Sequence, residues 1–244
     1  MLAFLGIGAQ KAGTTWIYEQ LRQHPCLSFP LGKEAHFWNR EFDDPSIATY
    51  LASFGGSDCI AGEITPAYAM LPVERIRRIY ACNPELRLIY LIRNPVERAW
   101  SSALMALQRA EMTIDEASDQ WFIDHFRSAG SRRRGDYAAC LDRWLDVFPA
   151  EQLLVLRFEQ VREAPEALLN RCFEHLGVAP QPTDLLQARG CRQPVFTGSG
   201  ALPRPSLLPI LRELYREPLQ RLAGRYGMND WRPQLDLPGE SVDR

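Results

Sequence analysis

The sequence predicts a single α/β domain over residues 1–244, in which helices flank a central parallel sheet. Apolar segments of strand length lie at 2–8, 86–92 and 153–156, and a continuous apolar run is typical of a strand that is buried on both faces of a sheet. Segments with helical periodicity separate these strands, as they do in the strand–helix–strand units of parallel sheets.

The first elements are predicted from local start and stop signals. The strand 2–8 passes through a glycine-containing turn into a helix that begins at Thr14 or Thr15. This helix ends at about residue 23, before Pro25, because the residue that precedes a proline disfavours the helical conformation. The chain therefore opens with a strand–loop–helix unit.

The strand 86–92 also leads into a helix. Asn94 is a favourable N-cap, Pro95 suits the first helical position, and the helix reaches about Arg109. Residues 111–136 are polar and mixed, which predicts short helices joined by loops.

The C-terminal half contains two further helical patterns and a long interruption. An apolar face over 137–148 predicts a packed helix, and a helix over 166–176 ends at Gly177, a favoured C-terminal cap. Six of the 18 prolines lie within 179–209, which predicts an irregular segment of the kind that often binds ligands. The last helix covers about 207–226.

Composition and charge exclude several function classes. Lys plus Arg is 28 and Asp plus Glu is 30, for a net charge of −2, which argues against a protein that coats nucleic acid. No apolar run reaches the ~18 residues of a membrane-spanning helix, and the first residues lack the features of a signal peptide. The six scattered cysteines predict buried thiols, no metal site and a cytoplasmic protein.

The turn after the first strand carries residues suited to phosphate binding. Gly8 and Gly13 have P-loop spacing, but Thr14 stands where a nucleotide triphosphatase has lysine, and Lys11 lies inside the loop instead. Gly13 allows the backbone to approach an anion, and amides at the start of a helix attract phosphate. A structural turn with a capping threonine is the alternative interpretation.

A second anion-binding position follows the strand 86–92. Arg93 lies directly after this strand, at the end where ligands collect in open α/β sheets. Ser101 lies seven residues after Asn94, on the same helix face, so Arg93 and Ser101 can reach one anion. An ion-pairing arginine beside an ordinary helix serine is the alternative.

Several segments resemble sulfotransferases that use 3′-phosphoadenosine 5′-phosphosulfate (PAPS). Residues 11–16, Lys-Ala-Gly-Thr-Thr-Trp, resemble that family's 5′-phosphosulfate loop, and residues 93–101 resemble its 3′-phosphate motif. Segments 33–37, 62–68 and 137–159 are similar to heparan-type and bacterial carbohydrate sulfotransferases. The resemblance implies a P-loop-like sulfotransferase fold, metal-independent transfer to a carbohydrate or glycoconjugate hydroxyl, and adenosine 3′,5′-bisphosphate as the product.

The resemblance also implies roles for individual residues. Lys11 is expected to stabilise the transferring group, and either Glu34 or His36 is expected to be the general base. The implied donor-binding residues are Lys11, Ala12, Gly13, Thr14, Thr15, Trp16, Arg93, Ser101, Gly198, Ser199 and Gly200. The implied acceptor-binding residues are Lys33, Thr65, Pro66, Tyr68 and Tyr137.

Some positions leave alternatives open. Trp16 either stacks on adenine or belongs to the core, and Lys33 is either a ligand contact or an ordinary surface lysine. Ile64 stands where heparan-type enzymes often carry lysine, which argues against a highly sulfated polysaccharide acceptor. A small-molecule or nucleotide kinase and a non-catalytic nucleotide-binding protein are the competing functions.

Overall fold

A computed structural model describes residues 1–56, 58–195, 200–229 and 231. The chain divides into two compact units. One comprises Met1–Arg93 and Asp142–Thr197, and the other comprises Asn94–Leu141 and Gly198–Arg244. The α/β class with a parallel sheet is confirmed, whereas the assignment of one domain to residues 1–244 stays a prediction.

The sheet lies in the first unit. Its strands are β1 (Leu2–Gly8), β2 (Leu27–Ser28), β3 (Ile60–Ile64), β4 (Arg87–Ile92) and β5 (Leu153–Arg157). Within the described residues they form one sheet in the order β2-β3-β1-β4-β5, and all neighbouring pairs are parallel. Most residues of β1 and β4 are buried, as expected for apolar strands in the middle of a parallel sheet.

The helices follow in chain order. They are α1 (Thr14–Leu21), α2 (Asp44–Ala52), α3 (Val73–Cys82), α4 (Pro95–Arg109), α5 (Asp119–Arg127), α6 (Ala129–Gly135), α7 (Tyr137–Leu145), α8 (Glu159–Glu163), α9 (Pro165–Leu176), α10 (Thr183–Ala188) and α11 (Leu208–Tyr226). Short 3₁₀ turns cover Pro66–Met70, Ala150–Gln152 and Pro205–Leu207.

Local signals predicted three of the strands and several helices among these described elements, whereas β2, β3, α2, α3 and α8 were not predicted. β1 and α4 begin and end at the predicted residues, and α5 and α6 are the short helices expected over 111–136. The prediction of an irregular segment over 179–209 was wrong at α10, which begins directly after Pro182. Proline carries a φ suited to a helix start, so it marks a boundary here without excluding a helix.

The direction in which the chain connects the strands changes in the middle of the sheet. From β1 the chain runs towards β2, whereas from β4 it runs towards β5 on the other side of the sheet. The direction of connection therefore changes between β1 and β4, and ligands of open α/β sheets bind beyond the carboxyl ends of the strands at such a point.

The second unit contains a buried arginine that joins three helices. Arg98 of α4 is 0% exposed, and its Nη2 donates to Ser131 O at 2.9 Å and to Tyr215 OH at 3.0 Å. These residues belong to α6 and α11, so the hydrogen bonds tie α4 to both. In the described part of the chain, no helix is both long and apolar enough to span a membrane.

Candidate functional site

The turn after β1 lies at the carboxyl end of that strand, between β1 and β4, where the direction of connection changes. Ala9 N–H donates to Leu91 O at 2.6 Å, and Ala12 N–H donates to Ala9 O at 3.2 Å. Gly13 precedes α1 with a left-handed φ of 90°, and no described side chain caps this helix end. The first amides of α1 therefore lack a side-chain acceptor, which is the arrangement that binds an anion at a helix start.

Gly13 is required by both conformation and packing. Its left-handed φ disfavours any residue with a Cβ. A Cβ at this position would also lie 2.7 Å from Cδ2 of Phe158. Phe158 follows β5, and its N–H donates to Ile92 O at 2.8 Å. The turn over residues 9–13 is predicted to bind phosphate and is called the phosphate-binding turn below. It thus packs against the phenyl ring of Phe158, whose backbone is bonded to β4.

The same ring supports the second predicted cation. Arg93 follows β4, and its guanidinium carbon lies 4.5 Å from the centroid of Phe158, within cation–π range. Its Nη1 lies 3.5 Å from the carbonyl oxygen of Lys11. The structure therefore brings Arg93 and the Lys11 turn together, because the strands that precede them, β1 and β4, are neighbours in the sheet.

The remaining predicted donor-binding residues are placed in different ways. Thr14 is buried and Thr15 is exposed. Trp16 is 5% exposed, and its Nε1 donates to Cys191 O at 3.0 Å, so its ring belongs to the core of the first unit. Its contact with adenine stays a prediction.

The remaining residues that the sequence predicted to contact the donor belong to the second unit. Ser101 is on α4 and Gly200 has a left-handed φ of 70°, and both belong to the second unit. Gly198 and Ser199 lie outside the described residues. The donor contacts of Ser101 and of this loop stay predictions.

The residues predicted for acid–base chemistry meet in one loop. The carboxylate of Glu34 is ion-paired with Lys33 through Oε1, and its Oε2 lies 3.3 Å from Nε2 of His36. His36 Nδ1 lies 3.1 Å from Oδ1 of Asn39. The side chain of Glu34 is 41% exposed and that of His36 is 32% exposed, so an acceptor has access to both.

The backbone of this loop is left-handed at both candidate bases. The φ angles of Glu34 and His36 are 65° and 57°. Among the non-glycine residues that the structure describes, left-handed φ occurs at Lys11, Glu34, His36 and Glu111. Three of these are the predicted catalytic residues, and such strained positions, at ~1–3 kcal/mol each, cluster at functional sites.

Most of the predicted acceptor-binding residues are buried. Thr65 and Tyr68 are both 0% exposed and donate to the carboxylate of Glu63 at 2.9 Å and 2.8 Å. Pro66 is also buried. Tyr137 is 1% exposed, with its ring near Trp231 of the same unit. These side chains therefore support the structure around them, and the acceptor contacts predicted for them and for Lys33 stay predictions.

Sequence reasoning assigned no role to two residues that organise the site. Glu63 is 0% exposed within β3, and its signal is a charged residue inside the apolar run Ile-Ala-Gly-Glu-Ile. Phe158 supports Arg93 and the phosphate-binding turn. Its position directly after a buried strand is the only sequence signal, because its partners are far away along the chain.

The prediction that the cysteines are buried thiols is confirmed only in part. Cys140, Cys172 and Cys191 are buried, whereas Cys26 is exposed. Burial raises the pKa of the Cys172 thiol to about 12. That thiol therefore stays protonated and unreactive at neutral pH.

Comparisons with known proteins agree with these geometric features. A model of the sulfotransferase domain matches residues 4–189. Human heparan sulfate glucosamine 3-O-sulfotransferase 6 is 31% identical over 235 residues, which cover 86% of this chain and 67% of that protein. Human heparan sulfate glucosamine 3-O-sulfotransferase 3B1 is 32% identical over 186 residues, which cover 73% and 46%. The chain thus spans about two thirds of one human relative and under half of the other.

A solved structure shows the same architecture. The crystal structure of a sulfotransferase from Alicyclobacillus acidocaldarius superimposes with a TM-score of 0.68 at 26% sequence identity, covering 92% of this chain and 95% of that one. Residues 4–189, which the sulfotransferase-domain model matches, include both the turn after β1 and the strand that precedes Arg93.

Proposed function

Because the chain belongs to the sulfotransferase family, we propose that it transfers a sulfuryl group from PAPS to a hydroxyl group of a carbohydrate or glycoconjugate. One observation carries this proposal. An anion-binding turn with Lys11 and Arg93 lies beyond β1 and β4, and a carboxylate–imidazole pair, Glu34 and His36, is bonded to the end of the neighbouring strand β3. Sulfuryl transfer requires these two functions side by side.

The turn after β1 fits the phosphosulfate end of the donor. The uncapped amides at the start of α1 donate to phosphate oxygens, and Gly13 has no side chain to hold an anion away. PAPS supplies an activated sulfuryl group, and the Lys11 ammonium stabilises the negative charge that develops during transfer. Arg93 is assigned to the 3′-phosphate of the donor, and donor contacts of Ser101 and Trp16 stay predictions.

The acceptor proton is taken by Glu34. One of its carboxylate oxygens is near Lys33 and the other is near His36, so the charge of the carboxylate is oriented by two partners. As the acceptor oxygen bonds to sulfur, its proton passes to Glu34 and the bridging oxygen leaves with the phosphate. The proposed reaction is metal-independent, because side-chain cations and backbone amides stabilise the charge.

The acceptor class is inferred from the relatives. Their names describe 3-O-sulfotransferases that act on heparan sulfate glucosamine, which supports a sugar hydroxyl. Ile64 is buried and apolar where heparan-type enzymes often carry lysine, and this favours an acceptor with less negative charge. The cytoplasmic location expected from the sequence is part of the proposal.

Two measurements test this function. We expect calorimetry to show that adenosine 3′,5′-bisphosphate binds without Mg²⁺, and we expect label to pass from ³⁵S-PAPS to members of a sugar panel, with a phenol as the comparison acceptor. A requirement for ATP and Mg²⁺ would contradict the proposal and indicate a kinase. Donor binding without transfer to any acceptor would indicate a non-catalytic binding protein.

A further inference from the structure

A carboxylate is buried beside the loop that carries the proposed base. Among the described residues, Tyr50 OH donates to Oε1 of Glu63 at 2.5 Å and Tyr68 OH donates to the same oxygen at 2.8 Å. Its Oε2 accepts from Thr65 Oγ1 at 2.9 Å and from the backbone N–H of Ala35 at 3.2 Å. An ionised carboxylate has about four acceptor positions, so these donors satisfy a buried charge that is otherwise costly.

The two phenols are suited to permanent donation. Burial, followed by the charge of Glu63, raises the pKa of Tyr50 and of Tyr68 well above the usual range. Both hydroxyls therefore keep their protons at neutral pH and can donate to the carboxylate of Glu63.

The network reaches the proposed base through the backbone. Ala35, whose N–H binds Glu63, lies between Glu34 and His36, the two residues with left-handed φ. The N–H of His36 donates to Thr65 Oγ1 at 3.4 Å, and that hydroxyl donates to Glu63. The strained part of the loop is thus bonded to the buried carboxylate directly and through one hydroxyl.

Aromatic packing anchors the next residues of the same loop. The N–H of Trp38 donates to Tyr68 OH at 3.3 Å. The ring of Phe37 stacks on Tyr50 with 4.2 Å between centroids and an interplanar angle of 7°. The tyrosines that bond Glu63 therefore also position the loop downstream of His36.

Resting on the sulfuryl transfer proposed above, we propose that Glu63 is a positioning residue: its buried carboxylate clamps the 34–36 backbone so that Glu34 and His36 meet where the acceptor proton is taken. Left-handed φ is unfavourable for residues with a Cβ, so these two residues keep it only while the surrounding bonds hold them. Loss of the carboxylate allows the loop to relax and displaces the base.

Glu63→Gln and Glu63→Ala test the clamp at two strengths. The glutamine oxygen can still accept from Ala35 N–H, but its amide then faces tyrosine hydroxyls that must turn to accept. We expect kcat to fall about tenfold in Glu63→Gln and about a hundredfold in Glu63→Ala, the range for supporting residues that misplace a reacting group. The KM for PAPS is expected to stay within about twofold, because the donor turn has its own supports.

Two further measurements separate positioning from general destabilisation. Cys172→Ala removes a buried side chain of α9, and we expect it to lower Tm without changing kcat. Amide hydrogen exchange over residues 33–38 is expected to accelerate in Glu63→Ala and, to a smaller extent, in Tyr50→Phe, which keeps the stacked ring but removes one donor. Cys172→Ala is expected to leave exchange in this segment unchanged.

Either of two outcomes would contradict the proposed positioning role of Glu63. One is a parallel loss of kcat, PAPS affinity and Tm with no difference between the glutamine and alanine variants. The other is unchanged exchange over 33–38 in Glu63→Ala. If the wild-type protein transfers no sulfuryl group to any acceptor, the proposed function fails, and the exchange measurement by itself still decides whether Glu63 holds the loop.

Discussion

The two loops of the candidate site have similar backbone strain but different supports. In the phosphate-binding turn, left-handed Lys11 precedes a flexible glycine and a helix start. In the 33–38 loop, left-handed Glu34 and His36 flank an alanine, and hydrogen bonds from β3 and its 3₁₀ turn hold them. The first turn combines its own glycine with contacts to Leu91, Arg93 and Phe158, whereas the second depends on partners about 30 residues away, on and after β3.

The comparison distinguishes the residues that are proposed to react from the residues that hold them in place. Lys11 and Glu34 would perform the chemistry, so their loss should reduce turnover most. In the proposed mechanism, Gly13 and Arg93 support donor binding and Glu63 supports the base. Variants at these positions therefore test whether the two loops act independently, as their separate supports imply.

The largest effect is expected in the acid–base loop. Glu34→Gln keeps the size of the side chain but cannot take the acceptor proton, so kcat should fall about 10²–10⁴-fold. Donor affinity, measured by calorimetry, should be unchanged. Glu41→Gln is the matched control, because Glu41 is 98% exposed and the change in charge is the same. Full turnover in Glu34→Gln would shift the role of base to His36.

The next effect is expected in the phosphate-binding turn. Lys11→Ala should remove ~3–4 kcal/mol of transition-state stabilisation, which corresponds to a ~10²–10³-fold lower kcat. Binding of adenosine 3′,5′-bisphosphate should stay measurable by calorimetry. Arg22→Ala removes a positive charge just after α1, where the side chain is 53% exposed, and should have normal turnover. Normal turnover in Lys11→Ala would remove this residue from the chemistry.

A smaller effect is expected at the second cation. Arg93→Ala should weaken binding of adenosine 3′,5′-bisphosphate by about 10–100-fold, since a hydrogen bond to a charged group contributes ~1.5–3 kcal/mol. Arg93→Lys should fall between the alanine variant and the wild type, because lysine keeps the charge but loses the planar fork. Arg87→Ala, at the other end of β4, should bind normally. Equal affinities in Arg93→Ala and Arg87→Ala would contradict the assignment.

The smallest effect concerns stability. Gly13→Ala combines backbone strain with a contact at Phe158, whereas Gly177→Ala has a similar φ of 75° and no atom within 4 Å of the added Cβ. Gly177→Ala should lower the free energy of unfolding by about 1 kcal/mol, and Gly13→Ala by at least ~1 kcal/mol more because of overpacking. Urea denaturation measures both. Equal losses would show that Phe158 yields to the added methyl group.

Sequence reasoning succeeded where the determinants are local. The strand, the glycine and the helix start of the phosphate-binding turn are consecutive, and Arg93 follows the next recognisable strand. Glu34 and His36 were named as candidate bases from the resemblance, and their left-handed backbone was not expected. The β3 strand was missed as an element, because its glycine and glutamate interrupt the apolar run.

The sequence by itself determined the α/β class and indicated an anion-binding turn, since short-range periodicity, glycine placement and helix starts encode them, and its resemblance to sulfotransferases supplied the candidate chemical groups. The tertiary structure decided that Thr65 and Tyr68 donate hydrogen bonds to a buried Glu63. It also decided that Phe158 underlies Arg93. These contacts join residues from separate elements, and whether a polar side chain faces solvent or a buried partner depends on which strands become neighbours.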